Sequence, residues 1–571
     1  MMGKVAVAGV SLILVVGVII GVVATVSRSN GDNSSGHATA GLSTGMKAVE
    51  TLCAPTDFKD SCINTLAPIA NKNGKATPKE LVEATFVAAQ EEVKKAWNTA
   101  GELAKNATGS YNKASMEGCN ELLEYAFNRL QGAISSVGKA EFTKMTEHKA
   151  DIKNYLSAVL AYKSTCFDDI EDPELKKTME KGITYISEIT TNGLAIVDEV
   201  SKFLNKINDF QFFGNNNNTS RRLLDTEVDK DGFPTWFSAA DRRLLAARPN
   251  QIRPNAVVAK DGSGQFKTIS QAIAAYPKGF RGRYIIYVKA GIYNEKVTVP
   301  EKTINVYMYG DGPRRTIVTG SDNFGRNKTP TWKTATFSAI GDGFIVRSMG
   351  FQNTAGPDGH QAVAFRSQSD MSAVYNCRID GHQDTLYYHA QRQFYRNCVI
   401  SGTIDFIFGS GTALIQNSKI ILRQPNPNQR NTVTADGRQT ARCDSGLVIQ
   451  TSKIVPEMKY FPNRFKIPSY LGRPWKVASR TIVMESVLAD VINPDGWYPW
   501  NPNSNENLDT CEYREYRNSG PGANTNRRIK WRGFAVITDR RVAERFTAGP
   551  FLRGDLWLRN TGAQFSLGLH L

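Results

Sequence analysis

Apolar residues between about Cys53 and Asn205 recur at the spacing of an α-helix. Each stripe advances by three or four residues, which places its members on one helical face. The clearest stripes are Val82, Phe86, Ala89, Val93, Ala96, Ala100 and Leu103, and Leu123, Phe127, Leu130, Ile134 and Val137. Residues 77–80 (Thr-Pro-Lys-Glu) supply an N-cap hydroxyl, a proline in the first turn and a glutamate whose carboxylate can accept a hydrogen bond from the N-cap backbone N–H. A helix is therefore predicted to begin there. Several such helices joined by short turns predict a bundle.

Beyond Asn255 the chain changes to short runs rich in Val, Ile, Tyr and Phe, separated by Gly and Asn. Tyr284–Val288 and Ile304–Met308 are typical, and both predict β-strands. A repeat follows, with Asn-Cys-Arg-Ile at 376–379, Asn-Cys-Val-Ile at 397–400 and Asn-Ser-Lys-Ile at 417–420. Spacings of 21 and 20 residues in β-type sequence indicate a stacked parallel solenoid with one coil per repeat.

The repeat brings two of the eight cysteines together. Cys377 and Cys398 occupy the same position on neighbouring coils, ~4.8 Å apart, which lies within the Cα range that a disulfide accepts. A bridge is therefore predicted between them. The other assignments rest on proximity alone: Cys53 with Cys62 across an N-terminal hairpin, Cys119 with Cys166 between two helices, and Cys443 and Cys511 left to bond together or to stay free.

Residues 206–247 interrupt both patterns. They contain four consecutive Asn at 215–218 and two copies of Arg-Arg-Leu-Leu, at 221–224 and 242–245, so an exposed linker is expected. One dibasic pair is most simply a solvated charge run, but two copies between domains favour proteolytic processing. Cleavage is expected at 242–245, which places the mature N-terminus near Ala246.

The composition, with 41% hydrophobic and 22% charged residues among 571, suits two or more packed domains. Charge is divided unevenly between the two halves. Residues 1–245 carry 27 basic and 30 acidic groups, a net charge of −3, whereas residues 246–571 carry 43 and 24, a net charge of +19. The basic half suits a polyanionic partner such as nucleic acid, anionic lipid or an acidic polysaccharide.

Val5–Val26 carries no charge and is long enough to span a bilayer. Residues 1–28 are therefore predicted to be a signal peptide or a signal anchor that directs the chain into the secretory pathway. In that compartment cysteines form disulfides, and nucleic acid is not the expected partner. Five Asn-X-Ser/Thr sites could carry glycans there: Asn33, Asn106, Asn217, Asn218 and Asn327.

Two aspartates share the step of the solenoid. Asp384 in His-Gln-Asp-Thr-Leu and Asp405 in Gly-Thr-Ile-Asp-Phe are 21 residues apart. Two stacked carboxylates repel each other, so ionising both costs free energy. One is therefore predicted to hold a proton as an acid and the other to act as a nucleophile. Gln361 lies 22 residues before Gln383, and the two amides are candidates to donate to a developing oxyanion.

Arg473 and Trp475 lie in Leu-Gly-Arg-Pro-Trp, where the guanidinium is a candidate to bind a carboxylate and the indole offers a flat face to a sugar ring. Each feature has a plain structural alternative: solvent-facing turn aspartates, a ladder of buried amides and a packed Arg-Pro-Trp turn. The six His are scattered and no Cys/His set has zinc spacing, so neither a metal nor a cofactor is predicted.

Together the motifs resemble those of the pectinesterases in order and spacing. They are Gly-Ile-Tyr-Asn-Glu at 291–295, Gly-His-Gln-Ala-Val-Ala at 359–364, Asp-Gly-His-Gln-Asp-Thr-Leu-Tyr at 380–387, Gly-Thr-Ile-Asp-Phe-Ile-Phe-Gly at 402–409 and Leu-Gly-Arg-Pro-Trp at 471–475. The helical segment with its four cysteines resembles the pectinesterase-inhibitor domain that precedes the catalytic domain in many plant members. The Arg-Arg-Leu-Leu copies resemble their processing sites, which implies a subtilisin-like protease as a partner.

The resemblance also implies roles for individual residues. Asp405 would be the nucleophile and Asp384 the general acid and then the base. The oxyanion donors would be Gln361 and Gln383, and the substrate-binding residues would be Arg473, Trp475, Tyr387, Phe408 and Trp500. The departures from the usual motifs, Ile404 and Phe365, do not touch this chemistry.

The sequence thus predicts a helical inhibitor-like domain at 48–205, a linker at 206–247 and an all-β, right-handed parallel β-helix catalytic domain at 248–571. The expected reaction is hydrolysis of the C6 methyl esters of pectin to pectate and methanol, by an extracellular or cell-wall monomer that the helical domain silences until its release. A separate inhibitor protein is a further possible partner. The alternatives are a pectate lyase or polygalacturonase-like β-helix enzyme, and a non-catalytic inhibitor or wall-binding protein.

Overall fold

A computed structural model describes residues 44–73, 76–139, 145–213 and 253–570. Its contacts divide these residues into two compact units. The first contains the described residues up to Thr99, Leu123–Val159 and the helical residues from Lys177 onward. The second contains Ala100–Leu122, Leu160–Lys176 and all described residues from 253 onward.

Long helices make up residues 44–213 wherever the structure describes them. They are α1 (Thr44–Cys53), α2 (Lys59–Asn73), α3 (Pro78–Asn106), α4 (Ser110–Lys139), α5 (Met145–Asp168) and α6 (Pro173–Phe213). No described helix is long and apolar enough to cross a membrane, and the predicted signal segment at 1–28 lies outside the described residues. Of the linker predicted at 206–247, residues 206–213 are instead part of α6, because apolar residues continue at helical spacing through Leu204, Ile207 and Phe210. Residues 214–247 lie outside the described residues.

The predicted start of α3 is confirmed. The Thr77 backbone N–H donates to Glu80 Oε2 at 2.7 Å, and the Glu80 N–H donates to Thr77 Oγ1 at 3.3 Å, which completes a capping box. In α4 the small residues Ala126 and Ala133 are fully buried beside the predicted stripe, whereas Phe127 is only partly buried.

The predicted helical disulfides are formed. Cys53 and Cys62 are bridged in the first unit with a Cα–Cα distance of 5.7 Å. Cys119 and Cys166 are bridged in the second unit at 4.3 Å, which joins α4 to α5.

The remaining chain winds into three parallel sheets, and each coil contributes a strand to each sheet in turn. The first sheet contains β1 (Ala256–Val258), β2 (Tyr284–Val288), β5 (Val306–Gly310), β8 (Ile345–Arg347), β11 (Ser372–Tyr375), β14 (Arg392–Arg396), β17 (Thr412–Gln416), β20 (Gly446–Gln450), β23 (Arg480–Met484), β25 (Glu512–Tyr516) and β26 (Phe534–Val536). The second contains β4 (Val297–Val299), β7 (Phe337–Ala339), β10 (Phe365–Ser367), β13 (Leu386–Tyr388), β16 (Ile407–Gly409), β19 (Asn431–Asp436) and β22 (Ser469–Gly472). The third contains β3 (Gly291–Asn294), β6 (Thr316–Gly320), β9 (Gly350–Asn353), β12 (Arg378–Asp380), β15 (Val399–Gly402), β18 (Lys419–Leu422), β21 (Lys453–Pro456) and β24 (Val487–Leu488).

Short helices accompany this solenoid. They are α7 (Ile269–Ala274), α8 (Phe324–Asn327), α9 (Arg540–Glu544), α10 (Ala548–Leu552) and α11 (Gly554–Trp557). Parallel crossovers are right-handed, so the predicted right-handed parallel β-helix is the fold of this region.

The repeated asparagines explain how each coil turns from the first sheet to the third. Asn376, Asn397 and Asn417 all adopt left-handed backbone conformations, with φ of 52°, 53° and 50°. Asparagine tolerates this region better than other side chains with a Cβ. The side-chain amide of Asn417 also donates to Asn397 Oδ1 at 2.7 Å, so the repeat is both a turn and an amide ladder.

The turns from the third sheet to the second differ in length. Residues 381–385 and 403–406 connect their strands tightly, whereas residues 423–430 and 457–468 form longer excursions. The strands on either side remain in parallel register. Insertions at this edge therefore leave the sheets intact.

The solenoid core is filled by inward-facing apolar side chains. Phe337 and Phe365 stack with their ring planes 5° apart, and Phe351 packs within 4.9 Å of Phe365. All three rings are fully buried, so stacking between coils buries apolar area that one coil alone would expose.

The predicted Cys377–Cys398 disulfide is not formed. Both cysteines occupy equivalent buried positions on neighbouring coils, as expected, but they are free thiols. Cys377 Sγ lies 3.4 Å from the Tyr375 carbonyl oxygen, and Cys398 Sγ lies 3.3 Å from that of Arg396. Each sulfur also contacts a carbonyl of the preceding coil, Cys377 that of Val346 at 3.8 Å and Cys398 that of Val374 at 3.4 Å. Both side chains therefore contact backbone carbonyls, because the repeat fixes the α-carbons and not the direction of the side chain.

Alkylation tests this arrangement. Treating the unfolded, unreduced chain with a thiol reagent should label Cys377 and Cys398, because neither is in a disulfide, and should leave Cys119 and Cys166 unlabelled. Peptide mass spectrometry gives the readout, and the native protein provides the control, since burial should protect both free thiols. A linked peptide containing both Cys377 and Cys398 would contradict the structure.

Candidate active site

Asp384 and Asp405 occupy equivalent turns on adjacent coils. Asp384 lies between β12 and β13, and Asp405 lies between β15 and β16. Both have left-handed backbone conformations, with φ of 62° and 50°. The Asp384 N–H donates to the carbonyl of Ile404 at 3.1 Å, which stacks the two turns. The stacking inferred from the 21-residue step is therefore present.

Arg473 holds the Asp405 carboxylate in a two-point contact. Its Nη2 donates to Asp405 Oδ2 at 2.6 Å, and its Nε donates to Oδ1 at 2.9 Å. The hydroxyl of Thr432 donates to Oδ1 at 2.6 Å, and the Asp405 N–H returns a hydrogen bond to that hydroxyl at 2.9 Å. Asp405 is buried, so these donors fix the direction of a carboxylate that few waters reach.

Asp384 has a different environment. Burial, followed by the negative charge of Asp405, raises the pKa of the Asp384 carboxyl well above its usual range, while Arg473 opposes the shift. The side chain makes no hydrogen bond to other described residues. Two neighbouring carboxyl groups thus have different surroundings, one held by a guanidinium and one without a hydrogen-bond partner among the described residues, which is the arrangement that can separate a nucleophile from an acid.

Gln383 lies in the same turn as Asp384, directly before it, and Gln361 lies one coil earlier, between β9 and β10. The Ala362 N–H donates to the carbonyl of Gln383 at 3.2 Å, so the two backbones are directly stacked. Neither side-chain amide bonds to other described residues, and both line one cavity with the aspartates. The amides are therefore available to a ligand.

This cavity has a volume of about 250 Å³ and an aromatic wall. Tyr387 and Phe408, paired in register across β13 and β16, stack at 4.2 Å between ring centroids. The Arg473 guanidinium lies 4.3 Å from the ring centroid of Trp500, and Trp475 lies 6.4 Å from the same ring. All nine predicted catalytic and substrate-binding residues line the cavity.

Sequence reasoning missed Thr432, which binds the Asp405 carboxylate, and Trp332, which lines the cavity. Thr432 escaped notice because its coil includes the long turn at 423–430, so it lies 27 residues after Asp405 and breaks the 21-residue step. Trp332 also lines the cavity, next to Arg366, whose guanidinium lies 4.7 Å from the Trp332 ring centroid. Neither residue belongs to a repeated motif that could have indicated it.

Residues 160–176, which belong to the same compact unit as the solenoid, also contribute to the cavity. Thr165 Oγ1 lies 3.0 Å from Tyr387 Oη and 3.0 Å from His389 Nε2. Asp169 is buried beside them, and burial, with the charge of Asp168, raises its pKa to about 8. The helical segment thus occupies space in front of an aromatic ring that is predicted to bind sugar.

A parallel β-helix whose outward cavity combines paired carboxyl groups, unbonded amides, an arginine and aromatic rings defines a polysaccharide-directed hydrolytic enzyme. No cluster of His, Cys, Asp and Glu suited to holding a metal occurs among the residues that the structure describes.

Comparison with known proteins identifies the family. The pectinesterase model matches residues 255–555, and the plant invertase/pectin methylesterase inhibitor model matches residues 47–196. The chain is 39% identical to pectinesterase 4 of Arabidopsis thaliana with full coverage of both, and 39% identical to pectinesterase 1 of Citrus sinensis, with 96% of this chain and 92% of that protein covered. The solved pectin methylesterase from carrot is 49% identical, covers 56% of this chain and 99% of its own, and superposes with a TM-score of 0.55.

The chain belongs to the pectinesterase family and carries an inhibitor-like N-terminal domain. It is a carboxylic ester hydrolase that removes methyl esters from pectin. The predicted family and reaction are confirmed, and the chain-cleaving and non-catalytic alternatives are not supported.

Replacing Asp384 by Asn should change the pH dependence of stability. A carboxyl whose pKa is raised in the folded state stabilises the fold fully below its unfolded pKa of about 3.9, and this contribution is lost as pH rises through the folded pKa. The amide of the variant does not titrate, so the variant does not lose stability in this way. The difference in melting temperature, variant minus wild type, should therefore become more positive between about pH 4 and pH 8. Calorimetry at both pH values gives the readout. Asp509→Asn, an exposed site, is the matched control, and a difference that is flat with pH would contradict the expectation.

Proposed function

We propose that Asp405 is the nucleophile of this pectinesterase. The observation that carries the proposal is the two-point contact with Arg473, which directs the Asp405 carboxylate into the cavity beside Asp384, a carboxyl with a raised pKa. In the first step an oxygen of Asp405 attacks the C6 carbonyl carbon of a methyl galacturonate unit. A tetrahedral intermediate forms, and its negative charge collects on the former carbonyl oxygen.

Gln361 and Gln383 stabilise that charge. Their amide N–H groups are not used by the described protein, so they can donate to the oxyanion without breaking an existing bond. As the intermediate collapses, the C–O bond to the methoxy group breaks and Asp384 delivers its proton to the departing oxygen. Methanol leaves, and an anhydride joins Asp405 to the sugar.

Water completes the reaction. Asp384, now a carboxylate, takes a proton from a water molecule whose oxygen attacks the galacturonyl carbonyl of the anhydride. The bond to Asp405 breaks, the sugar leaves as an acid, and both aspartates return to their starting states. The rings of Tyr387 and Phe408 hold the polysaccharide while Arg473 and Trp475 border the reacting unit.

Substitution of the two aspartates tests the assignment. Asp405→Asn should lose nearly all methanol release, because an amide cannot attack the ester. Asp384→Asn should lose ~10²–10⁴-fold, the usual value of general acid–base catalysis, and Gln383→Ala should lose ~10²–10³-fold as an oxyanion donor. Methanol release from methylated pectin gives the rates.

Asp509→Asn, with the same chemical change at an exposed site, is the control and should keep wild-type activity. Folded Asp405→Asn retaining activity within about tenfold of wild type would rule out the nucleophile role, since loss of the attacking group costs far more than tenfold.

We also propose that the helical domain silences the enzyme before it is released. Support comes from residues 160–176, which line the catalytic cavity. Thr165 occupies a hydrogen-bonding position at the Tyr387 hydroxyl that a hydroxyl group of the sugar would otherwise take. Asp168 forms an ion pair with Lys476 at 2.7 Å, next to Trp475.

The Asp168→Lys change tests this in a cleavage-resistant chain (Arg222→Ala with Arg243→Ala). Repulsion from Lys476 should loosen the segment and raise methanol release by about threefold or more, given the modest strength of a partly exposed pair. Glu180→Lys makes the same charge change on α6 and should have no effect. Equal specific activity of the uncleaved and processed forms would leave the helical domain a folding role only.

Secretion, N-glycosylation and processing near Ala246 belong to the same proposal. A protein that acts on pectin works at the cell wall, and removal of residues 1–245 would leave the basic region with its net charge of +19. We expect the processed form to be a monomer. N-terminal sequencing of the extracellular protein identifies the cleavage site.

A further inference from the structure

A second cavity, of about 590 Å³, lies on the outer face of the third sheet. Basic side chains on its walls include Arg314, Arg378, Lys419 and Arg423, and Met458, whose side chain is 88% exposed, borders one side. None of the proposed catalytic residues lines it. We call this cavity, together with the adjacent Lys453, the basic groove.

Only part of the positive charge of the basic groove is neutralised. Arg378 contacts Asp380 at 2.5 Å, and Arg423 lies 3.6 Å from Glu457. Lys419 and Arg314 have no ion pair with any residue that the structure describes. The groove therefore has more cationic than anionic side chains.

The parallel register of the third sheet increases this excess. Lys419 on β18 pairs directly with Lys453 on β21, and both side chains are exposed. Arg378 occupies the same row two coils earlier, through Val399. Like charges directly opposite each other on neighbouring strands destabilise a sheet. The pairing of Lys419 with Lys453 therefore lowers the stability of the sheet, and neither lysine forms an ion pair with a described residue that would offset this.

The cations of the row are also aligned along one axis. Neighbouring coils are ~4.8 Å apart, so Arg378 lies two coils, or ~9.6 Å, from Lys419, and Lys419 lies one coil from Lys453. A linear polyanion lying along the solenoid axis would meet all three groups in succession, whereas a compact anion such as phosphate would meet only one or two of them. Alignment along one axis therefore favours an extended acidic chain.

We propose that the basic groove binds a de-esterified galacturonate stretch, which is the product of the catalytic site. The proposal rests on the pectinesterase activity, because that reaction converts neutral esters into the carboxylates that these cations attract. The groove lies next to the catalytic turn in the chain: His382 lines the groove, and Gln383 follows it in the active cavity. A product segment held there would keep the enzyme on a chain that it has already begun to de-esterify.

Binding of fully de-esterified polygalacturonate oligomers to the full chain tests the proposal. Lys419→Gln with Lys453→Gln should weaken binding about tenfold, as expected for two exposed charge contacts, and should make the affinity less sensitive to salt. The control variant, Lys278→Gln with Lys302→Gln, removes the same number of positive charges outside the groove. It should change the binding affinity by less than twofold. Fully methylated oligomers should show no difference between the variants.

Two further measurements separate the groove from the catalytic cavity. Arg473→Ala should retain most polygalacturonate binding, because Arg473 does not line the groove. In the processed form, methanol release by the Lys419/Lys453 variant from short methylated oligomers should equal that of wild type. The proposal is overturned if the Lys419/Lys453 variant binds normally, if the Lys278/Lys302 control loses as much, or if Arg473→Ala abolishes binding. Failure of every processed form, wild type included, to release methanol would reject the catalytic proposal and leave the binding result standing.

Discussion

In-register hydrogen bonding between parallel strands determines the rest of the catalytic region. Each coil lies directly on the previous one, so a residue's neighbours along the axis are those one coil away in sequence. This constraint stacks Asp384 on Asp405 through the hydrogen bond to Ile404, stacks the rings of Tyr387 and Phe408 and aligns Lys419 with Lys453. A periodic backbone thus produces both a cluster of carboxyl groups and a row of cations.

The proposed reaction requires that the two stacked aspartates have different surroundings, although stacking places them in equivalent turns. Two aspartates in equivalent turns would share one environment if only their own coils surrounded them. Arg473 and Thr432 come from later coils and contact Asp405, whereas burial and the neighbouring negative charge dominate at Asp384. The repeat supplies proximity, and non-repeating side chains supply the difference in surroundings that an acid and a nucleophile require.

This division also explains what sequence could predict. Periodicity located the solenoid and the paired aspartates, and the family motifs indicated Arg473, Trp475 and the aromatic wall. Thr432 could not be found, because the turn at 423–430 moves it out of the repeat. The bridge predicted between Cys377 and Cys398 was wrong, because equal positions on two coils do not determine where each sulfur points. Residues 160–176 carry no catalytic motif, so their place at the cavity required the structure.

The turns between the third and second sheets differ in how far they can change during evolution. The tight turns tolerate little change in length, whereas the long turns can vary. Tight turns at 381–385 and 403–406 hold the reacting groups, where a change of one residue in length would shift the chemistry. The long turns at 423–430 and 457–468 border the same edge without disturbing register, and Met458 brings one of them to the wall of the basic groove. Lengthening, shortening or exchanging these excursions offers a route to enzymes with a different preference for the pattern of esters along the polymer, built on unchanged catalytic coils.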